Sequence, residues 1–346
     1  YTSVSLSGYL CGADALAYSE LAYYQGNLNR AEQFARQAVY QGREKNQNEV
    51  ETCALYYLMR LSIPKGDIAG IREAERQLLA QLENGDYVNR YNIHDILMGR
   101  FYTRLGLIEK IAPWLRKEPD KGELNILSPG FGTLVNARCL AVEKNYPEAL
   151  RILEKERAEG DLGTYLLGFL EMTALEAVIR HQLGDREGAL AALKKAYDVG
   201  LLHGFSMPFV ELGEHMHSLT GALLKDHPDI PGDAGIAGIS RKWLQTIRRD
   251  ASAYAKKRAL AAAQYTGAQT PLSPDLSEYE LSVLNSLSQG QTSEEIAGVM
   301  RVSVKMVKSV IRRLYVKLGA VNRADAVRSA TEKGLLPNAV KKETPL

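Results

Sequence analysis

Over the first two hundred residues, apolar positions recur at spacings of three and four, the signature of amphipathic helices. The pattern breaks at nearly even intervals, at Gly26-Asn27, Gly66-Asp67, Gly106, Lys144-Asn145 and Gly184-Asp185, positions separated by 40, 40, 38 and 40 residues. Five positions beyond each break stands a small or aliphatic residue: Ala31, Ile71, Ile111, Ala149 and Ala189. A fixed period of this length predicts stacked helical hairpins, each burying its apolar face against the next. In Leu170–Ala196, a first helix carries Leu170, Ala174, Ala177, Val178 and His181 on one stripe. Gly184 suits a left-handed helix end and Asp185 the next helix start. The second helix then places Ala189, Leu193 and Ala196 on one face, with alanine allowing close approach of its partner.

A second pattern occupies the last seventy residues, where four short helices are expected. The first, with Leu276, Leu281, Val283, Leu284 and Leu287 as its core positions, opens on a Ser277…Glu280 capping box and ends at Gly290. Another box at Thr292…Glu295 begins a short helix holding Ile296, Ala297 and Val299, Arg301-Val302 form a turn, and Ser303 caps a third helix reaching about Leu318. Val307, Ile311, Leu314 and Leu318 form its inner face, while Lys305, Lys308 and Arg312 lie opposite, with Ser309 beside them and Arg313 and Lys317 flanking. A fourth helix, Arg323–Lys333, closes the unit with Ala326 and Val327 and stops at Gly334.

Between the two patterns, Pro228, Pro231 and several glycines within 222–239 predict a loop or hinge. Arg241–Gln264 follows as a basic helix with Trp243, Ile247 and Tyr254 on its apolar side. The expected division is therefore a repeat domain over 1–220, a hinge and connecting helix over 221–264, a linker over 265–275, a terminal module over 276–336 and a tail over 337–346. The fold class is all-α.

Charge sharpens this division. The chain of 346 residues carries a formal net charge of only +2, yet residues 241–346 hold 18 Lys+Arg against 9 Asp+Glu. A mildly acidic body with a basic terminal module points to a polyanionic partner for the module. Three widely spaced cysteines, Cys11, Cys53 and Cys139, show no metal-ligand spacing and read as reduced thiols of a cytoplasmic protein. No secretory signal or membrane-length apolar run occurs. No catalytic constellation or phosphate-cradling loop is present, so neither enzyme activity nor a cofactor is expected. His215 and His217, two apart on a helix, point in different directions, and no metal site is expected.

The repeat pattern, best kept at Gly26-Asn27…Ala31…Ala35…Ala38 and Gly184-Asp185…Ala189…Leu193…Ala196, resembles the tetratricopeptide repeat. Its longer period resembles the sensor domains of MalT-like bacterial regulators, as does Pro208-Phe209…Glu211…Gly213…Met216 just beyond it. Such regulators carry an ATPase module ahead of the repeats; a chain that begins at Tyr1 without it reads as cut from a longer protein or as a short form. The terminal segment resembles the LuxR-type helix-turn-helix through Leu276-Ser277…Glu280…Val283-Leu284, Gln289-Gly290…Glu295-Ile296-Ala297, Val302-Ser303, Val307-Lys308 and Lys317-Leu318…Asn322-Arg323-Ala324…Ala326.

That resemblance implies a transcriptional regulator binding the major groove of double-stranded DNA as a homodimer, with the fourth helix at the dimer contact. Lys308, Ser309 and Arg312 fall on base-reading positions, and Lys305, Arg313 and Lys317 complete the expected DNA-binding set. Where the family often has Arg, Lys, Thr and His, this chain has Tyr279, Glu294, Met306 and Val310. The loss of cation and hydroxyl at 294 and 306 implies fewer phosphate contacts, each worth about 0.9 in the salt slope, and a weaker, more dimer-dependent binder. Eleven of the 18 tyrosines precede residue 103. They read either as packing between helices or, at Tyr18, Tyr24, Tyr56, Tyr57 and Tyr91, as the wall of a groove for a small-molecule or protein effector. The alternative is a repeat-based adaptor whose terminal module mainly dimerises.

Overall fold

The structure, a computed structural model, describes residues 11–84, 90–117, 129–159, 165–226, 235–266, 276–318, 320, 322–332 and 335–336. Among these residues the fold is all-α, the sole β-type pairing being an isolated bridge between Ile236 and Ile239. Helical hairpins form from α1 (Ala13–Tyr24) with α2 (Leu28–Glu44), and from α3 (Asn48–Lys65) with α4 (Ile68–Asn84). After α5 (Arg90–Leu105), α6 (Pro129–Val142) pairs with α7 (Tyr146–Glu159), and α8 (Leu166–Gln182) with α9 (Arg186–His203). The short α10 (Met207–Val210), α11 (Gly213–Asp226) and the long α12 (Arg241–Thr266) follow.

The five expected break positions share one backbone device. Gly26, Gly66, Gly106 and Gly184 take φ of 79, 74, 77 and 79°, and Lys144, with no glycine available, takes 63°. At each, the next residue's N–H bonds the carbonyl five residues earlier, as Asn27 does to Ala22 at 2.9 Å and Asp185 to Arg180 at 3.0 Å, so the helix ends in a Schellman turn. Asn27, Asp67 and Asp185 then accept from the backbone N–H three residues on, at 3.3, 2.8 and 2.9 Å, and start the second helix. Ala31, Ile71, Ile111, Ala149 and Ala189 are all buried. Ala31, Ala35 and Ala38 have no exposure, and their lack of bulk lets α2 lie close against α1.

The third unit departs from the others. Beyond Gly106 the described residues form no second α-helix but two 3-10 turns, Ile108–Lys110 and Pro113–Arg116. A helix started at Ile108 would carry Pro113 in its interior, where the missing N–H and the ring break the ladder. Ile111 is extended there and joins a small apolar cluster with Ile96, Leu115, Val135 and Cys139.

The region after the repeats is tied to them more closely than the sequence suggested. Helix α11 runs to Asp226, so the expected loop starts later than 222; residues 227–234 lie outside the described residues. Helix α12 packs against α3, α5, α10 and α11, and its Leu244, Ile247, Ala251, Tyr254, Ala261 and Tyr265 belong to the same apolar core as the repeats. Tyr265 is not linker: its ring packs on Phe101 and Tyr102 and its hydroxyl donates to Glu75. The remaining linker residues, 267–275, and the tail, 337–346, lie outside the described residues.

Candidate nucleic-acid interface

The terminal module is built from α13 (Glu278–Ser288), α14 (Ser293–Met300), α15 (Val304–Leu318) and α16 (Arg323–Glu332). Both capping boxes form: Ser277 with Glu280, and Thr292 with Glu295. Ser303 Oγ accepts from the Met306 N–H at 3.2 Å and caps α15. The turn between α14 and α15 rests on Arg301, a non-glycine in the left-handed region at φ 51°. The core consists of Tyr279, Val283, Leu284, Leu287, Ile296, Ala297, Met300, Val307, Val310, Leu314, Leu318, Ala326 and Ala330, with Leu336 sealing the end. Two expected positions shift. Val310 is fully buried where Ile311 was expected and Ile311 is half-buried; Val299 is exposed. A turn of 3.6 residues brings both i+3 and i+4 near one face, and spacing alone does not choose between them.

The six cations and hydroxyls expected on α15 separate into two groups. Lys305, Lys308 and Arg312 are exposed along one side. Arg313 and Lys317 instead bend toward Glu280, the buried capping carboxylate of α13, with Lys317 Nζ 2.5 Å from Oε2 and Arg313 Nε 3.7 Å from Oε1. These two cations neutralise a charge inside the module. Ser309 is half-buried and accepts from Arg313 Nη1 at 3.3 Å. Glu294 reaches Lys308 Nζ at 3.2 Å; its own amide and then Lys308 hold its carboxyl below the usual range. Both partners are exposed, so this pair weakly competes for a cation on the outer face.

The module is seated on the repeats. Tyr279 of α13 packs against Tyr91 of α5 at 5.1 Å between ring centroids, and Leu82 of α4 joins the module's apolar core. At the start of α15, Met306 Sδ accepts from Asn92 Nδ2 at 3.7 Å. Glu278 faces His94 and Asp95 across the seam; burial pushes its carboxyl up, with His94 opposing and Asp95 adding to the shift. Two of the departures from the family pattern, Tyr279 and Met306, are therefore among the residues that touch the repeats. Met306 was expected only as a lost phosphate contact and Tyr279 was given no role; a tyrosine and a methionine at positions otherwise polar were the available signal.

The five tyrosines expected along an effector groove are not alike. Tyr18 is exposed and packs on Phe34 at 5.3 Å. Tyr24, Tyr56, Tyr57 and Tyr91 are buried, so none of the four walls an open surface. The reason is charge: the first helices of the hairpins turn arginines inward, and the rings cover them. Arg60 lies against Tyr23 and Tyr24 at 4.5 and 5.1 Å, and Arg100 against Tyr56 at 5.4 Å. Tyr24 donates to Glu171 and Tyr23 to Glu211. Arg60 Nη2 bridges Glu171 and Glu211 at 2.9 and 2.6 Å. Burial penalises both carboxylates, but the arginines around them prevail and hold both below the usual range. Periodicity did not reveal this cluster, although Arg60 between Met59 and Leu61 and the pair Arg100/Arg104 at i, i+4 stand within otherwise buried stretches. No metal-binding group of His, Cys, Asp or Glu occurs among the described residues.

Residues 8–226 match the family profile of the MalT-like TPR region, and residues 274–330 that of bacterial regulatory proteins of the luxR family. The chain belongs to the MalT-like family. Its relatives include the HTH-type transcriptional regulators MalT of Klebsiella pneumoniae (strain 342) and of Cronobacter sakazakii (strain ATCC BAA-894). The first is 25% identical over 329 residues and the second 25% over 331, each alignment covering 91% of this chain. The chain spans only 35% of the length of these curated relatives. In MalT-like terms, the repeats described above are the TPR region and α13–α16 the LuxR-type helix-turn-helix. Among the described residues no helix is long and apolar enough to cross a membrane.

Proposed function

We propose that this chain is a cytoplasmic transcriptional regulator that binds double-stranded DNA through α15. The observation that carries the reading is the exposed row of Lys305, Lys308 and Arg312 on the second helix of a capped helix-turn-helix. Lys308 and Arg312 are the base-reading pair, able to reach the guanine O6/N7 edge in the major groove, and Lys305 is a phosphate contact. Ser309 reads a base once Arg313 turns away. Arg313 and Lys317 contribute mainly by holding Glu280 and so fixing α13 against α15. A homodimer on DNA, joined through α16, would supply the affinity that the thinned phosphate grip lacks.

The docked arrangement supports a means of control. A helix with its side chains is about 10–12 Å across and the major groove about 12 Å wide, so DNA seated on the start of α15 leaves no room for α5 beside Met306. Binding therefore requires the module to leave Tyr91 and Asn92, and an effector on the repeats would act by changing that equilibrium. The test is fluorescence anisotropy on a duplex enriched from a random-sequence pool by the chain itself. Lys308→Ala/Arg312→Ala should lose sequence preference and most affinity. Equal binding by this double variant and the parent would overturn the assignment, and failure of any duplex to enrich would favour an adaptor.

A further inference from the structure

Four guanidiniums converge inside the repeats: Arg60 of α3, Arg100 and Arg104 of α5, and Arg138 of α6, none with more than 8% of its side chain exposed. They share two buried carboxylates, Glu171 of α8 and Glu211 beyond α10. Glu20, half-buried nearby, accepts from Tyr57 and Tyr165 and pairs with none of the four. Even with Glu20 included, cations outnumber carboxylates among the described residues.

The imbalance is not spread evenly. Arg60 and Arg104 are each within reach of both Glu171 and Glu211. Arg100 and Arg138 each touch one oxygen of Glu171, at 3.4 and 3.2 Å. The Nε groups of Arg100, Arg104 and Arg138 are all buried without a hydrogen-bond partner, but that of Arg104 lies 3.0 Å from Glu211 Oε1. Arg138 is also the one arginine of the four whose pKa is lowered, by burial and then by the charge of Arg104. Arg100 and Arg138 thus share a single carboxylate with two further arginines, and buried charge that is only partly compensated is costly unless something else supplies the opposite charge. Arg100 and Arg138 are also the two of the four with some remaining exposure, at 7 and 8% of their side chains. Beside them Phe131 lies 4.2 Å from the Arg100 guanidinium and meets Tyr165 edge-on at 6.0 Å.

We infer that Arg100 and Arg138 form the floor of a binding site for a small oxyanion, a carboxylate or phosphate group, whose apolar remainder rests on Phe131 and Tyr165. Guanidinium N–H groups offer the planar donor pairs that such oxyanions accept. The site is separate from α15. It does share α5 with the docking contact: Arg100 lies nine residues from Tyr91, about 13 Å along the helix at 1.5 Å per residue.

The test is thermal unfolding of the full chain with inorganic phosphate, succinate or benzoate against sodium chloride of equal ionic strength. At least one oxyanion should raise Tm saturably, on the order of 5 °C at a hundredfold excess over Kd. Arg138→Gln should abolish that rise, yet leave Tm in chloride unchanged or higher, since three arginines still face Glu171 without it. Arg104→Gln serves as the contrast and should lower Tm in chloride, because it takes a cation from two carboxylates. The inference is overturned if no oxyanion exceeds chloride, if Arg138→Gln retains the rise, or if Arg138→Gln lowers Tm as Arg104→Gln does.

Discussion

In the repeats, Arg60, Arg104, Glu171 and Glu211 lie side by side with at most 1% of any side chain exposed. In the terminal module, Lys305, Lys308 and Arg312 stand outside a core of valines, leucines and alanines, and the buried carboxylate of Glu280 is met by Lys317 and Arg313. The first region spends its charges on its own interior; the second turns them toward a partner. This contrast separates an architecture suited to recognising a small molecule, where desolvated charge gives selectivity, from one suited to a long polyanion, where exposed charge gives reach. It also gives each region a different weakness.

The largest effect should come from breaking the buried cluster. Glu171→Gln leaves four arginines facing Glu211 alone and should destabilise the repeats by about 3–5 kcal/mol, read as a drop in the urea midpoint. Leu314→Ala in the module should cost about 2–5 kcal/mol through a cavity while leaving the main repeat transition in place. If the two variants shift the same transition equally, the regions are not the separate cores described.

Acid should discriminate between them next. The folded pKa values of Glu171 and Glu211 lie below their unfolded values because arginines surround them. Their stabilisation is therefore present above the ordinary carboxylate pKa of about 4.3 and is lost as pH falls below it. The repeats should lose helicity in acid before a free-standing apolar core of similar stability would, and circular dichroism between pH 5 and 2 would show it. Glu278 behaves in the opposite sense: its carboxyl is raised in the docked state. Docking should then strengthen as pH falls toward the ordinary carboxylate value of about 4.3 and weaken as pH rises through the raised one. Hydrogen exchange of the first turns of α5 should slow accordingly.

Much of this was legible in the amino-acid order, and for identifiable reasons. Turns at 26, 66, 106, 144 and 184 could be read because left-handed helix ends and Asx caps are local chemistry, and both capping boxes of the module were legible on the same ground. The loss of the helix after Gly106 was signalled by Pro113 but hidden by the regular period. Arg60, Arg100, Arg104 and Arg138 come from three helices and meet Glu171 and Glu211 far along the chain, so no window of sequence contains the site. Likewise Tyr91 and Tyr279, 188 positions apart, meet only when the module seats on α5.

The smallest effects concern the caps of α13 and α14 and the outer face of α15. Ser277→Ala and Thr292→Ala should each cost about 1 kcal/mol in module stability through a lost cap, measurable as a lower Tm of the isolated transition. Glu294→Gln frees Lys308 from its exposed partner. It should steepen the dependence of log Kd on log salt by up to about 0.9, one phosphate contact, with little change in stability.

The most direct test of the account is the DNA affinity of Tyr91→Ala measured beside that of the parent chain, by anisotropy on the enriched duplex at fixed salt. Tyr91 lies outside α15, packs on Tyr279 and bears on DNA only through docking. The account predicts tighter binding by Tyr91→Ala with an unchanged salt slope, because the same cations meet DNA once the module is released. Unchanged or weaker binding, with the repeats still folded, would contradict control by docking.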